Sequence, residues 1–466
     1  MSNVGDSFRH KVYLRTVLSR GNRCIKMGKE ILNGNLNFGT VKVNRSLPAI
    51  IHPVHDTSPD EYYYLSNLDQ NIAVIMKTVH LYKPTEKSTD DIFPVLKESL
   101  SKVLMHYYPF AGSLTLSQEG KLIVKNDGHG VPFVEAETDS ELETLGDMSI
   151  PDPDKLGELI YVDPMAKNIL EMPLLTVQVT KFKCGGFSIG LAMNHCMSDG
   201  LSAVQFLNSW AEITRGLPLS NPPFIDRTIQ KAREPPKIEF IHHEFTEIED
   251  ISDLDGLYKS EPIEYYAFTF DEKKLCRLKE IATEDGVVES CTSFVALTAF
   301  IWRARTVALK MIPNQQTKLL FSIDGRSRIT PPLPNGFWGN AIVLACCMCR
   351  AKELVNKPLS STVRPIQEAI KVTDDKFIKS AIDYIEITRA RPSLAATLLI
   401  TSWTRLGFNS SDFGWGEVFY SGSAELPQKE VVVFLPQAKD SKNIVVVMGL
   451  PGPSMKTFKD IVGQLA

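Results

Sequence analysis

The 466-residue sequence lacks any long hydrophobic run. Its longest apolar stretch, Ala341–Cys349, has nine residues, whereas a membrane-spanning helix needs about 18. It also lacks an excess of charge of one sign, because 51 Lys and Arg face 55 Asp and Glu, for a formal net charge of −4. Such a chain has no overall attraction to nucleic acid or to an acidic membrane. The composition, 43% hydrophobic and 23% charged, is that of a folded globular protein.

The sequence also lacks a disulfide framework. Its eight cysteines are scattered, mostly in apolar stretches, which indicates reduced thiols in a cytosolic protein. Cys346 and Cys349 have the C-x-x-C spacing of zinc and redox sites. No second pair and no neighbouring His completes a ligand set there. We therefore predict no metal site.

The length exceeds what one hydrophobic core supports, since single cores stop growing near about 250–300 residues. Residues 1–26 carry six Lys and Arg against one Asp, or +5, which leaves −9 on the remainder. We interpret this segment as a disordered tail or an upstream start ahead of Met27, with a targeting segment as the alternative. A Pro-rich and then acidic stretch separates two sets of strand-like and helix-like segments. The predicted organisation is a basic N-terminal extension over 1–40, a domain over 41–215, a crossover linker over 216–257 and a second domain over 258–466.

Hydrophobic periodicity predicts a mixed α/β (α+β) fold with two similar mixed-sheet halves. A hairpin is predicted at 174–194, where two strands flank Gly185-Gly186, and a helix at 200–215 follows it directly. The other predicted strands are 71–82, 263–270, 317–324, 397–403, 430–435 and 443–449. The other predicted helical segments are 92–108, 272–283, 293–309, 359–388 and 455–465.

Two short patterns compete for a catalytic role. Gly186–Gly190 reads G-x-S-x-G, but a hydrolase nucleophile must lie at a sharp turn from strand to helix. Ser188 lies in the middle of a strand, so the hydrolase interpretation is disfavoured. The pattern H-x-x-x-D occurs at His52 and Asp56 in a polar loop, and again at His195 and Asp199, where a strand ends before a helix. Strand ends are where α/β proteins place reactive side chains, and a neutral imidazole there can accept a proton.

Near the C-terminus, Asp412–Gly416 reads DFGWG. Two glycines around an indole predict a tight turn that fixes a large aromatic side chain. Cys196 beside His195 suggests a Cys–His nucleophile, but neighbouring residues on a strand point to opposite faces.

His195-x-x-x-Asp199-Gly200 and DFGWG together resemble the signature of the plant BAHD acyltransferases. Further landmarks occur in the family's order: LSNLDQ at 65–70, YPFAG at 108–112, DGRSR at 324–328, PPLPNGFWGN at 331–340 and ITSW at 400–403. The resemblance runs from about Asn44 to the C-terminus. Two positions depart from the family pattern, Ser113 in place of an Arg and Val418 in place of a Pro.

The resemblance implies a two-domain fold similar to chloramphenicol acetyltransferase, with the active site in a channel between the halves. It implies that His195 is the general base and that Asp199 holds the loop by pairing with Arg326, or alternatively Arg328. Asp412 is often counted with the catalytic residues of the family, although we favour a scaffold role for its turn. The remaining implied site residues are Thr401 and Trp403 as substrate-binding and Gly200, Gly414, Trp415 and Gly416 as structural.

Within the family, TKFKCGGFSIGLAMNHCMSDG and YYLSNLDQNIAVI resemble the ω-hydroxyacid and fatty-alcohol hydroxycinnamoyl transferases of suberin and cutin. This implies transfer of a feruloyl or caffeoyl group from acyl-CoA, as co-substrate, to a long-chain hydroxyl. A shikimate or quinate acceptor, and a non-catalytic role in fatty-acid elongation, are the alternatives. We expect a cytosolic monomer with no bound cofactor or metal, no membrane span and no nucleic-acid partner.

Overall fold

The computed structural model describes residues 41–465, except 56, 147, 149–151 and 438–440. The predicted extension over 1–40 and Asp56 of the first H-x-x-x-D pattern lie outside the described residues. The chain forms two compact units. The first combines the described residues up to 231 with 334–340 and 406–425, and the second holds the other described segments. This division differs from the two continuous domains expected from the sequence.

The elements are numbered along the described chain. The strands are β1 (Asn44–Arg45), β2 (Ala49–Ile51), β3 (Tyr62–Tyr63), β4 (Ile75–Tyr82), β5 (Ser113–Leu116), β6 (Leu122–Lys125), β7 (Val131–Thr138), β8 (Leu175–Phe182), β9 (Phe187–Asn194), β10 (Ile263–Phe270), β11 (Gln316–Asp324), β12 (Ile342–Arg350), β13 (Thr397–Ser402), β14 (Val418–Ser423), β15 (Val431–Pro436) and β16 (Ile444–Pro451). The helices are α1 (Asn67–Gln70), α2 (Ile92–Val103), α3 (Pro153–Gly157), α4 (Gly200–Thr214), α5 (Leu254–Ser260), α6 (Glu272–Thr283), α7 (Ser293–Ala308), α8 (Ala351–Asn356), α9 (Ser360–Val372), α10 (Asp375–Thr388) and α11 (Gly452–Gly463).

The first unit is built on a mixed sheet of seven described strands. Their order is β1-β7-β8-β9-β4-β14, and β2 also pairs with β7. The predicted hairpin is confirmed as the antiparallel pair β8 and β9. Every residue of β9 is buried, as expected of a strand covered on both faces. His195 follows the last residue of this central strand.

Strand β14 comes from late in the chain but belongs to the sheet of the first unit. It pairs antiparallel with β4, which gives the backbone groups along that side of β4 their hydrogen-bond partners. Ser421 on β14 contacts the buried ring of His80 on β4, with 2.6 Å between Oγ and Nδ1. These contacts explain why 406–425 lies with the first unit.

Helices α2 and α4 pack together in the first unit. The indole nitrogen of Trp210 on α4 donates to Ser99 Oγ on α2 at 2.9 Å. Residues from both helices share a core with Phe187, Ile189 and Leu191 of β9. The alternation of side chains along a strand puts these three on one face, so the two helices and the strand that leads to His195 share one hydrophobic core.

The second unit is built on six described strands in the order β10-β16-β15-β13-β11-β12. Aromatic side chains join its helices to the sheet. Phe294 on α7 packs edge-on against Phe434 on β15 with 5.9 Å between ring centroids. Phe458 on α11 lies 5.0 Å from Phe268 on β10. Large aromatic side chains of this kind dominate core energetics.

The elements predicted from periodicity are confirmed within a few residues, with one difference. The helical segment predicted over 359–388 contains a break after α9. Asp374 caps α10 by accepting from the Phe377 amide at 3.0 Å, and such a cap starts a new helix.

The predicted crossover linker is bound near its middle to α10. Asp383 on α10 accepts from Arg233 Nε at 2.6 Å, and Ser380 Oγ accepts from the Glu239 amide at 2.9 Å. Among the residues described here, none forms a helix that is both long and apolar enough to cross a membrane.

Candidate active site

His195 directly follows β9, at the start of a tight turn that leads to α4. Its amide donates to the Val74 carbonyl at 2.8 Å, which continues the strand pairing by one residue. Asn194 Oδ1 accepts from the Cys196 amide at 3.2 Å, and the Met197 amide donates to the Asn194 carbonyl at 2.9 Å. An Asn that bonds its own backbone two residues on is typical of a turn. The half-buried His195 therefore sits on a defined backbone at the strand end.

Asp199 starts the helix that follows this turn. Its side chain caps α4 by accepting from the Ser202 amide at 3.0 Å, where a carboxylate is also favoured by the helix dipole. Gly200 is the first residue of α4, and a Cβ there would lie 2.6 Å from Leu406 Cδ1. A larger residue at 200 would therefore have to displace the flexible end of the Leu406 side chain.

The predicted partners of Asp199 lie in the second unit, and the pairing of Asp199 with Arg326 stays a prediction. Arg326 NH1 donates to Asp324 Oδ1 at 3.0 Å. Arg328 NH1 donates to the Ile370 carbonyl at 2.8 Å.

Three successive carbonyls of the His195 turn are each held by a side chain from a distant segment. Asn340 Nδ2 donates to the His195 carbonyl at 2.8 Å. Arg227 NH1 donates to the Cys196 carbonyl at 3.1 Å, and its NH2 donates to the Met197 carbonyl. A backbone with three consecutive carbonyls bound in this way has little freedom to change its dihedral angles.

Asp69 anchors both of these side chains. Its Oδ1 accepts from the amide nitrogen and the Nδ2 of Asn340, at 3.1 and 2.8 Å. Its Oδ2 lies 3.1 Å from Arg227 NH1 and accepts from the Ser66 amide at 2.7 Å. Asp69, Arg227 and Asn340 are at most 1% exposed. A buried charge needs a partner and saturated hydrogen bonding, and this arrangement provides both. We call these three residues the clasp.

Sequence reasoning missed the clasp. Asp69 and Asn340 lie in LSNLDQ and PPLPNGFWGN, which served only as landmarks of the resemblance. Arg227 lies in the predicted linker, where no pattern singles it out. Nothing in the two motifs marks these positions, because LSNLDQ also contains Ser66, Asn67 and Gln70, and PPLPNGFWGN also contains Asn335.

Burial lowers the pKa of His195. Four groups oppose that effect and raise the pKa. From the largest contribution to the smallest, they are its own backbone carbonyl, Asp199, Asn340 and Asp69. Desolvation penalises the charged imidazolium, so the ring is neutral at physiological pH. A neutral imidazole can accept a proton.

The turn at Asp412–Gly416 has the predicted tight geometry. Gly414 and Gly416 have φ of 91° and 97°, which favours glycine. Trp415 is 2% exposed and its indole nitrogen donates to the Ser88 carbonyl at 2.8 Å. Lys87 Nζ lies 3.7 Å from its ring centroid, a cation–π contact. Asp412 Oδ1 accepts from the Gly414 amide at 2.7 Å.

This turn packs at the opposite end of β9 from His195. The Trp415 ring lies 5.9 Å from that of Phe187, the first residue of β9. Eight residues separate Phe187 from His195, or about 25 Å at the usual rise of a strand. After allowance for the ring contact, about 20 Å separates the turn from the histidine. The structure therefore brings His195, Asp199 and the clasp together, and leaves Asp412 remote from them.

The other candidates have structural surroundings. Ser188 lies within β9 and is fully buried, so the disfavoured hydrolase interpretation gains no support. Burial raises the pKa of the Cys346 and Cys349 thiols to about 12, which leaves them protonated. Among the described residues, no group of three His, Cys, Asp or Glu side chains could hold a metal ion.

Thr401 and Trp403 lie at the end of β13 in the second unit. Thr401 pairs with Val433 on β15, and the Trp403 amide donates to the Phe434 carbonyl at 2.8 Å. Their substrate-binding role stays a prediction.

Comparison with known proteins gives consistent matches along the whole described chain. A sequence model described as the transferase family matches residues 41–464. An ω-hydroxypalmitate O-feruloyl transferase of Arabidopsis thaliana is 51% identical over 446 residues, 94% of this chain and 97% of the relative. A fatty alcohol:caffeoyl-CoA acyltransferase of the same plant is 51% identical over 422 residues, 90% of this chain and 98% of the relative. The crystal structure of vinorine synthase superposes with a TM-score of 0.70 at 23% identity, covering 91% of this chain and 98% of that one. The expected two-domain fold is thereby confirmed.

Proposed function

This chain belongs to the transferase family of BAHD acyltransferases, and from that membership we propose that it moves a hydroxycinnamoyl group, feruloyl or caffeoyl, from coenzyme A to the hydroxyl of an ω-hydroxy fatty acid or a fatty alcohol. The donor and acceptor classes are those in the names of the two Arabidopsis relatives. The products would be aromatic esters of the kind found in suberin and cutin.

The observation that carries the chemistry is His195, neutral because its pKa is lowered and fixed at the end of a central strand. In the proposed step, His195 removes the proton from the acceptor hydroxyl as its oxygen attacks the thioester carbonyl. The carbon–oxygen bond forms, the carbon–sulfur bond breaks, and the thiolate of coenzyme A takes up the proton from the imidazolium. A positioned base of this kind contributes about 10²–10⁴-fold to the rate. Because transfer is direct, no covalent acyl-enzyme forms.

We assign supporting roles to the remaining predicted residues. Asp199 fixes the turn after His195 by capping α4. Asp412 and the glycines and Trp415 of its turn act as a scaffold. Thr401 and Trp403 are proposed to contact substrate, and Arg326 is proposed as the partner of Asp199. Coenzyme A enters as a co-substrate, and we propose no resident cofactor.

We further propose that the protein works as a cytosolic monomer. The clasp that holds the His195 turn comes from one chain, and the described cysteines are free thiols, which suits a reducing compartment.

The test is transfer from feruloyl-CoA and caffeoyl-CoA to a panel of ω-hydroxy fatty acids, fatty alcohols and shikimate, with products identified by mass. We expect ester products with long-chain acceptors, and a loss of kcat of about 10²–10⁴-fold in His195→Ala. His106→Ala, at an exposed histidine, is the matched control and should keep full activity. Absence of transfer to every long-chain hydroxyl would refute the acceptor class. Full activity in His195→Ala would refute the proposed base.

A further inference from the structure

The Asn340 side chain binds the backbone of His195, and each of the two residues has a further buried polar atom in its side chain. Asn340 Oδ1 and His195 Nδ1 are both buried, and within the described part of the chain neither makes a hydrogen bond of normal distance and angle. Asn340 Nδ2 lies 2.8 Å from the His195 carbonyl oxygen, so the Asn340 amide lies beside His195, and the amide also raises the pKa of the ring. Leaving a buried polar atom without a partner costs about 1–3 kcal/mol. Two such atoms on neighbouring groups, an amide oxygen and a ring nitrogen that can carry a proton, are chemically complementary.

The orientation of the Asn340 amide is not free. Its Nδ2 donates to Asp69 Oδ1 and to the His195 carbonyl, both at 2.8 Å. A carboxylate and a carbonyl are acceptors only, so the nitrogen must face them and Oδ1 must take the other position. Asp69 itself is fixed by Arg227 and by the Ser66 amide.

We propose that Asp69 and Asn340 are positioning residues that set the tautomer of His195. Asp69 orients the Asn340 amide. The oxygen of that amide is held ready to accept from Nδ1–H of His195, and its nitrogen holds the His195 carbonyl, the other acceptor close to the ring. The proton is thereby kept on Nδ1, and Nε2 carries the lone pair that acts as the base. The bond between Nδ1 and Oδ1 tightens as the substrates bind, as catalytic hydrogen bonds often do. This inference rests on the proposed function of His195.

Neither residue can touch substrate, since both are 0% exposed. A change at either should therefore lower kcat and leave KM nearly constant. The charged groups that act on the His195 ring are Asp199 and Asp69, and both raise its pKa. Losing the Asn340 oxygen or the Asp69 charge should therefore lower that pKa further.

The first test variant is Asn340→Leu, which keeps the approximate size of the side chain and removes its amide. We expect kcat to fall by about 10- to 10²-fold, the scale of a misplaced catalytic group, with KM within about twofold. The acidic limb of kcat/KM against pH should move to lower pH, because the base stays unprotonated further down.

The second variant is Asp69→Asn, where the new amide can satisfy Asn340 in either orientation. In the flipped orientation Asn340 would direct an N–H at His195 Nδ1 and so favour the Nε2–H tautomer. If this variant does not fold, because Arg227 loses its buried partner, Asn340→Leu still tests the proposal. Asp383→Asn is the control, since it removes a buried carboxylate paired with Arg233 in the second unit and should leave kcat and the pH profile unchanged.

Nitrogen-15 NMR of the nine histidines reads the tautomer without any turnover, with His195 assigned by its absence in His195→Gln. We expect Nδ1–H in the wild-type protein and a shift toward Nε2–H in Asn340→Leu. An unchanged tautomer and an unmoved acidic limb in Asn340→Leu would overturn the proposal. Failure of the proposed function has a different signature, namely no transfer by the wild-type protein, whatever the tautomer.

Discussion

The role of the Asp412–Gly416 turn is open to a decisive test, because its carboxylate is often counted as catalytic. The perturbation is Asp412→Asn, which removes the charge and preserves the shape. About 20 Å separates the turn from His195. A unit charge at that distance contributes about 0.2 kcal/mol at a dielectric constant of 80 and about 0.8 kcal/mol at 20. Even the larger value changes a rate by no more than about fourfold, and salt reduces it.

The effect on stability should be larger. Asp412 Oδ1 accepts from the Gly414 amide at 2.7 Å. The amide oxygen of Asn can still accept this bond, so the variant loses about 1–1.5 kcal/mol, the difference between a hydrogen bond to a charged group and one to a neutral group. For a unit of this size, about 2–4 °C of Tm corresponds to each kcal/mol, so Tm should fall by about 2–6 °C.

The assay is steady-state transfer well below Tm, alongside thermal unfolding followed by circular dichroism. We expect kcat within about fourfold of wild type and a lowered Tm. His195→Ala is the positive control, with the opposite pattern of lost kcat and little change in Tm. A loss of kcat by 10²-fold or more in Asp412→Asn with an unchanged Tm would refute the scaffold role.

Two further predictions concern buried side chains. Burial lowers the pKa of His80 from 6.5 to about 3, so the unfolded chain takes up a proton near pH 6.5 and the folded chain does not. The free energy of unfolding is unaffected by this group above pH 6.5 and falls as the pH drops, by about 2 kcal/mol at pH 5. His80→Asn should therefore reduce the difference between the free energies of unfolding measured with urea at pH 7.5 and at pH 5. A steep dependence that persists in His80→Asn would contradict this assignment. Ser188→Ala should keep full transfer activity, because the hydroxyl is buried within β9 and lacks a hydrogen-bond partner among the described residues, so losing it is close to neutral. In single-turnover reactions with feruloyl-CoA and no acceptor, neither this variant nor wild type should show a burst, and a burst abolished by Ser188→Ala would revive the hydrolase interpretation.

Local patterns in the sequence were enough to find most of the elements that carry the site. The alternation at Leu174–Asn194 and the Gly-Gly turn predicted the β8–β9 hairpin, because strand period and turn chemistry depend on adjacent residues. The Asp199 cap of α4 was not predicted, although Asp is a preferred residue at that position of a helix. The break between α9 and α10 was missed, since one Asp in a continuous helical pattern is a weak signal beside the hydrophobic periodicity.

The sequence by itself determined the two-part α/β organisation, the position of His195 at a strand end and, through its motifs, the resemblance to the BAHD acyltransferases. The tertiary structure decided what holds that histidine. Asp69 and Asn340 are 271 residues apart, and β14 completes a sheet whose other strands precede it by more than 200 residues. Periodicity and capping act over a few residues and leave a readable pattern. A contact between distant polar side chains leaves none, because it depends on how the strands and loops come together in space.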